Sequence, residues 1–163
     1  MPLKEELLSA NAAHAAGFTN AELAAPPTRR VAIVTCMDAR LDPARFLGLE
    51  VGDAHVIRNA GALVTDDALR SLAISHWELG TREVFVIAHT DCGLLMLDAE
   101  ELHGKLAAAG LDAGDVDFKP FRDLDESVGE SVRRVRESQL LPASFEATGF
   151  VYDVRTGRLR EVR

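Results

Sequence analysis

Two short runs, Val31-Ala32-Ile33-Val34 and Val84-Phe85-Val86-Ile87-Ala88, contain no polar side chain at all. A strand with one wet face alternates apolar and polar residues, whereas a strand buried on both faces reads as continuous apolar sequence rich in β-branched residues. The two runs are therefore predicted to be interior strands of a largely parallel sheet. Such a sheet needs crossover connections, usually helical and right-handed. Thr65-Asp66-Asp67 opens a suitable helix, in which Leu69, Leu72, Ala73, Trp77 and Leu79 recur at near-helical spacing until Gly80 stops it.

The remaining elements fit the same architecture. Lys4 to Ala16 reads as an N-terminal helix, ended by Pro26-Pro27. Asp42-Pro43 opens a short helical piece that closes near Gly48. His55 to Arg58 reads as a strand, a helix is expected from near Leu94 to about Ala109, and residues 111–122 as a loop anchored by Val116, Phe118 and Phe121. Asp123 to Gln139 forms another helix, with Leu124, Val128, Val132 and Val135 on one face. Gly149–Val154 and Arg158–Val162, joined by Thr156-Gly157, read as a hairpin. The expected fold is one α/β domain over residues 1–163, with a mostly parallel central sheet flanked by helices and an antiparallel C-terminal edge hairpin. Residues 1–27 would form an N-terminal helix and linker, and 28–163 the core.

Charge and hydropathy narrow the partners. The formal net charge is −8 and no Lys/Arg cluster stands out, which argues against nucleic acid and anionic membranes. No stretch approaches the roughly 20 apolar residues needed to span a bilayer. The N-terminus carries Glu5 and Glu6 where a secretory signal would be basic and then apolar, so a cytoplasmic location is expected. In a reducing compartment the two cysteines, Cys36 and Cys92, suit a metal or catalytic role at least as well as a disulfide.

Both cysteines belong to polar constellations at strand exits, where open α/β sheets bind ligands. The first is Cys36-Met37-Asp38-Ala39-Arg40 and the second His89-Thr90-Asp91-Cys92. Together they offer two thiols, an imidazole and a carboxylate, a donor set suited to tetrahedral zinc. A histidine and a cysteine three apart on one loop can reach one ion, and Cys36 is suitably placed for the third ligand. Two buried thiols with a core histidine would be the purely structural alternative. A cysteine phosphatase needs C-x5-R and a thiol oxidoreductase C-x-x-C, and neither spacing occurs. Asp91 is expected to act as a turn residue bonding nearby amides, and Trp77 to pack in the core or a dimer interface. His14, His55, His76 and His103 read as ordinary surface or helix-face residues.

The C-M-D-A-R and H-T-D-C-G stretches, with Arg58-Asn59-Ala60-Gly61 between them, resemble the paired motif of β-class carbonic anhydrases. The resemblance implies one zinc per subunit held by Cys36, His89 and Cys92, with Asp38 and Arg40 paired beside it. Asp38 is also a candidate fourth ligand. If Arg40 holds that carboxylate away, the fourth position opens to water, which zinc acidifies to a hydroxide able to attack carbon dioxide and yield bicarbonate. Two thiolates donate more charge than imidazoles, so activity is expected to rise with pH. Gly61 and Gly93 are assigned to substrate binding. The family also implies a homodimer or a higher multiple of dimers. Hydrolysis of carbonyl sulfide or carbon disulfide, and a non-catalytic zinc-binding module, are the alternatives. Two departures bear on the pocket lining: Ala62 stands where the family often has Asn, and Gly93-Leu94-Leu95 replaces the commoner pair of glycines.

Overall fold

The apolar runs form the two central strands of a single sheet. The computed structural model describes residues 1–163. In chain order the elements are α1 (Leu3–Ala16), β1 (Val31–Cys36), α2 (Pro43–Leu47), β2 (Ala54–Asn59), a 3-10 turn (Ala60–Ala62), α3 (Asp66–Trp77), β3 (Glu83–His89), α4 (Ala99–Ala108), α5 (Leu124–Arg136), β4 (Glu146–Tyr152) and β5 (Leu159–Val162). The strand order is β2-β1-β3-β4-β5. β1 pairs in parallel with β2 and β3, and β3 in parallel with β4. β5 closes the edge in antiparallel register, Tyr152 facing Leu159. This is the predicted architecture, edge hairpin included.

Burial explains the composition of the central strands. All six residues of β1 are buried, and so are Val84, Val86, Ile87, Ala88 and His89 of β3. Thr35, the one hydroxyl among them, donates it to the Ile87 carbonyl at 2.8 Å, so that donor is not stranded. Ala32, Val34, Val84, Val86 and Ala88 join Leu72 of α3 and Val128, Val132 and Val135 of α5 in one apolar core. Burying a side chain the size of Leu72 contributes about 1.5–3 kcal/mol. On the alternate positions Val31, Ile33 and Phe85 line a cleft of about 240 Å³ with Leu47 and Leu49. Gly149 of β4 lets α5 approach closely, since a Cβ there would stand 2.4 Å from Val128 Cγ1.

Side-chain caps set the helix starts. Asp42, Thr65, Asp98 and Asp123 each accept from a backbone amide in the first turn of the following helix. The Asp98 cap corrects one expectation. α4 begins at Ala99 instead of near Leu94, because Leu94–Leu97 form turns in which Leu95 N bonds the Cys92 carbonyl at 3.1 Å. β4 likewise begins three residues before Gly149. Trp77 is 64% exposed and donates its indole N–H to the Leu140 carbonyl at 2.9 Å, so it lies outside the core. α1 buries none of its residues against the chain, and Leu3, Leu7 and Leu8 are all exposed.

Candidate metal centre

The topology brings the two motifs together. From β1 the chain runs to β2 on one side and then returns across to β3 on the other. Ligand crevices form at such a divergence, beyond the carboxyl ends of the strands. Cys36 ends β1 and His89 ends β3, on adjacent strands. The turn after β3 is pinned by Thr90, whose amide bonds the Tyr152 carbonyl at 2.9 Å and whose hydroxyl accepts from Val154 N at 3.1 Å. Asp91 then takes a left-handed conformation, φ 57°, which an aspartate tolerates better than most residues and which turns Cys92 back toward His89.

Cys36, His89 and Cys92 are all buried, and their ligand atoms lie within 4.8 Å of one another. His89 Nδ1 faces the Thr90 carbonyl at 2.8 Å, so this nitrogen carries the proton and Nε2 presents its lone pair. That Nε2 is the one buried side-chain polar atom without a hydrogen-bond partner. A buried acceptor left bare is costly, and a carbonyl bond on the other ring nitrogen is how proteins fix a metal-ligating histidine. The two sulfurs complete the fit for one zinc ion. The two thiols lie side by side, and this pairing pushes Cys36 toward the thiolate and raises Cys92. For His89, burial opposes protonation, but the nearby Cys36 sulfur and the Thr90 carbonyl outweigh it and raise the ring. The two cysteines form no disulfide, so both sulfurs are available as ligands.

Asp38 sits at the mouth of this cluster, with Oδ2 3.7 Å from His89 Nε2. Arg40 grips it in two-pronged fashion, Nε to Oδ1 at 3.0 Å and Nη2 to Oδ2 at 2.8 Å, while the Arg40 amide adds a 2.9 Å bond to Oδ1. These bonds hold the Asp38 carboxyl well below the usual carboxylate range, and the pairing raises the Arg40 guanidinium. Arg58 fixes the main chain beneath them, bonding the carbonyls of Cys36 and Asp38 at 3.0 and 2.7 Å. Asn59 exchanges two bonds with the backbone of Leu63, shaping the turn that carries Gly61.

Gly61 is buried at φ 81°, and a Cβ there would lie 2.6 Å from Leu94 and 3.1 Å from Phe121. Leu94, one of the residues replacing the paired glycines, thus forms an apolar wall with Phe121 that the motif spacing did not reveal. Gly93 is exposed beside Cys92, and a Cβ there would meet no atom within 4 Å. Asp91 departs from expectation: its carboxylate accepts from Arg40 Nη1 at 2.8 Å and does not bond nearby amides. Of the other histidines, His55 bonds Ser75 Oγ at 2.7 Å and His76 faces the Thr81 carbonyl at 2.6 Å, both remote from the cluster in the sequence and the sheet.

A buried Cys–His–Cys cluster at the switch point of a parallel sheet defines a metal-dependent enzyme of the carbonic anhydrase kind. Residues 31–159 match the carbonic anhydrase family model, and the chain belongs to that family. Over its length it is similar to Beta-carbonic anhydrase 1 of Mycobacterium tuberculosis, 42% identical over 162 residues that cover 99% of each chain. A crystal structure of carbonic anhydrase from Streptococcus mutans superposes with a TM-score of 0.94 at 47% identity, covering 100% of this chain and 99% of that one. A carbon disulfide hydrolase of an Acidianus strain is 36% identical over 160 residues, covering 83% of this chain and 78% of the hydrolase.

Proposed function

We propose that this chain catalyses the reversible hydration of carbon dioxide to bicarbonate and a proton, using one zinc ion per subunit held by Cys36, His89 and Cys92. The bare, buried Nε2 of His89 facing two thiols carries this reading. When bound, zinc supplies a Lewis acid that makes a water nucleophilic near neutral pH. The chain's own residues do the rest. Cys36 ionises readily, and the Thr90 carbonyl keeps the His89 lone pair on Nε2. Arg40 occupies both oxygens of Asp38, keeping that carboxylate from serving as a fourth ligand while leaving it lone pairs to accept a hydrogen bond from the attacking water and so orient it. Gly61 and Gly93 line the approach of the substrate, and Leu94 and Phe121 exclude bulk water from a small apolar molecule.

Exposed apolar residues on α1, together with Val56 on the edge strand β2, support a homodimer. No helix is long and apolar enough to cross a membrane, and two cysteines clustered with a histidine for a metal suit a reducing, cytoplasmic compartment. The same centre would serve carbon disulfide, which the Acidianus relative's name specifies. Stopped-flow hydration of carbon dioxide by the zinc-loaded protein, with carbon disulfide assayed in parallel, decides among the readings. Asp38→Ala should keep its zinc and lose activity. No rate above buffer from neutral to alkaline pH would leave a binding module, and a rate on carbon disulfide alone would make the chain a hydrolase.

A further inference from the structure

Arg40 is shared between the two motif loops. Of the five N–H donors of a guanidinium, two go to Asp38 and two to Asp91: Nη1 to Asp91 Oδ2 at 2.8 Å and Nη2 to the Asp91 carbonyl at 2.9 Å. Asp91 lies between His89 and Cys92, and its left-handed backbone turns both its carboxylate and its carbonyl toward the same guanidinium. Neither Asp38 nor Arg40 has another partner that would fix the plane of that guanidinium from the far side. We propose that Asp91 is a positioning residue: by anchoring the outer edge of Arg40 to the loop that carries His89 and Cys92, it keeps the Asp38 carboxylate turned away from the metal.

This rests on the metal reading above. Asp91 and Arg40 side chains are 65% and 47% exposed, and exposed ion pairs contribute little to stability. The consequence of losing Asp91 is therefore orientational. With Nη1 released and only the Nη2 bond to the main-chain carbonyl of residue 91 left, Arg40 can tilt together with Asp38, whose Oδ2 already stands 3.7 Å from His89 Nε2. A carboxylate so released competes with small anions for the ion.

The test uses wild-type protein, Asp91→Gly and Asp91→Asn, each loaded with cobalt(II) and titrated with azide by visible absorption. Glycine suits the φ of 57° and removes the carboxylate alone, while the asparagine amide oxygen can still accept from Nη1. All three should bind equimolar cobalt and melt alike. Azide affinity should fall about tenfold in Asp91→Gly, the loss of one charge-assisted hydrogen bond, and return most of the way in Asp91→Asn. Equal azide affinity in wild type and Asp91→Gly overturns the proposal, as does a loss of affinity that merely follows a lowered melting temperature. A wild-type protein that takes up no cobalt overturns the metal reading itself, and this inference with it.

Discussion

Arg58 Nη2 donates to the main-chain oxygen of Asp38 at 2.7 Å, a bond that ties the edge strand β2 to the loop leaving β1. Its Nε simultaneously holds the Cys36 carbonyl at 3.0 Å, so one guanidinium braces the main chain of both Cys36 and Asp38. Arg58→Ala should destabilise the fold by about 1–3 kcal/mol, through two carbonyls left without a charged donor. Carbon dioxide hydration should fall more than the stability loss explains. Arg58→Lys should not restore it, because a single ammonium cannot span two carbonyls as a planar fork does. Thermal melts beside hydration rates check this; a lysine variant equal to wild type in both would remove the bracing role.

Zinc should stabilise the folded chain, because the clustered ligands exist only in the folded state. At about a thousandfold excess over its dissociation constant, a ligand adds about 4 kcal/mol. Chelation should therefore lower the melting temperature, and re-addition should restore it. In Cys36→Ser, His89→Ala and Cys92→Ser the melting temperature should become insensitive to zinc, with less than one metal per chain by elemental analysis. A variant that still melts higher with zinc would show that its residue is no ligand.

Gly149 is a packing requirement of the α5–β4 contact. A methyl there would collide with Val128 Cγ1 and stand 3.1 Å from Val132 Cγ2, and Val128 is itself buried. Gly149→Ala should cost about 1–3 kcal/mol by overpacking. Adding Val128→Ala should recover part of that loss, a coupling measurable by urea denaturation of the two single variants and the double. Strict additivity would mean that the clash relaxes elsewhere.

The pair between Asp125, in the first turn of α5, and Arg160, on β5, gives a pH dependence with a definite sign. Its two bonds measure 2.6 and 2.8 Å, and Arg160 lowers the folded Asp125 carboxyl below its ordinary value. A depressed folded pKa gives stabilisation that is complete above the unfolded value, about 3.9, and lost as pH falls through the folded one. Both side chains are about half exposed, so water and salt hold the effect below about 1 kcal/mol. Urea midpoints of wild type and Asp125→Asn should differ at pH 7 and converge in acid. A gap that widens on acidification would reverse the assignment.

The strands and the ligand cluster were legible because they depend on local signals. Unbroken apolar runs marked β1 and β3, and each ended on a residue whose chemistry has few ordinary uses in a core. What the sequence hid depends on distance. Asp91 looked like a turn former, and its partner Arg40 lies 51 positions away. Leu94 and Leu95 read as the start of a helix, yet tertiary packing holds Leu94 against Gly61, and the Asp98 cap opens α4 only afterwards. The first half of β4, Glu146 to Gly149, carries polar and small residues that suit alternating burial and close helix contact, and Thr148 alone among them favours a strand. Trp77 kept the helical spacing of its neighbours but lies beyond the covered stretch.

The complete burial of β1 fixes the order in which the molecule loosens. Hydrogen bonded on both sides by β2 and β3, its amides should belong to the slowest class for exchange with deuterated solvent, the class released only when the entire fold opens. The base on which Cys36 stands is thus as durable as the protein itself, and breathing of the surrounding loops leaves the cluster's foundation in place.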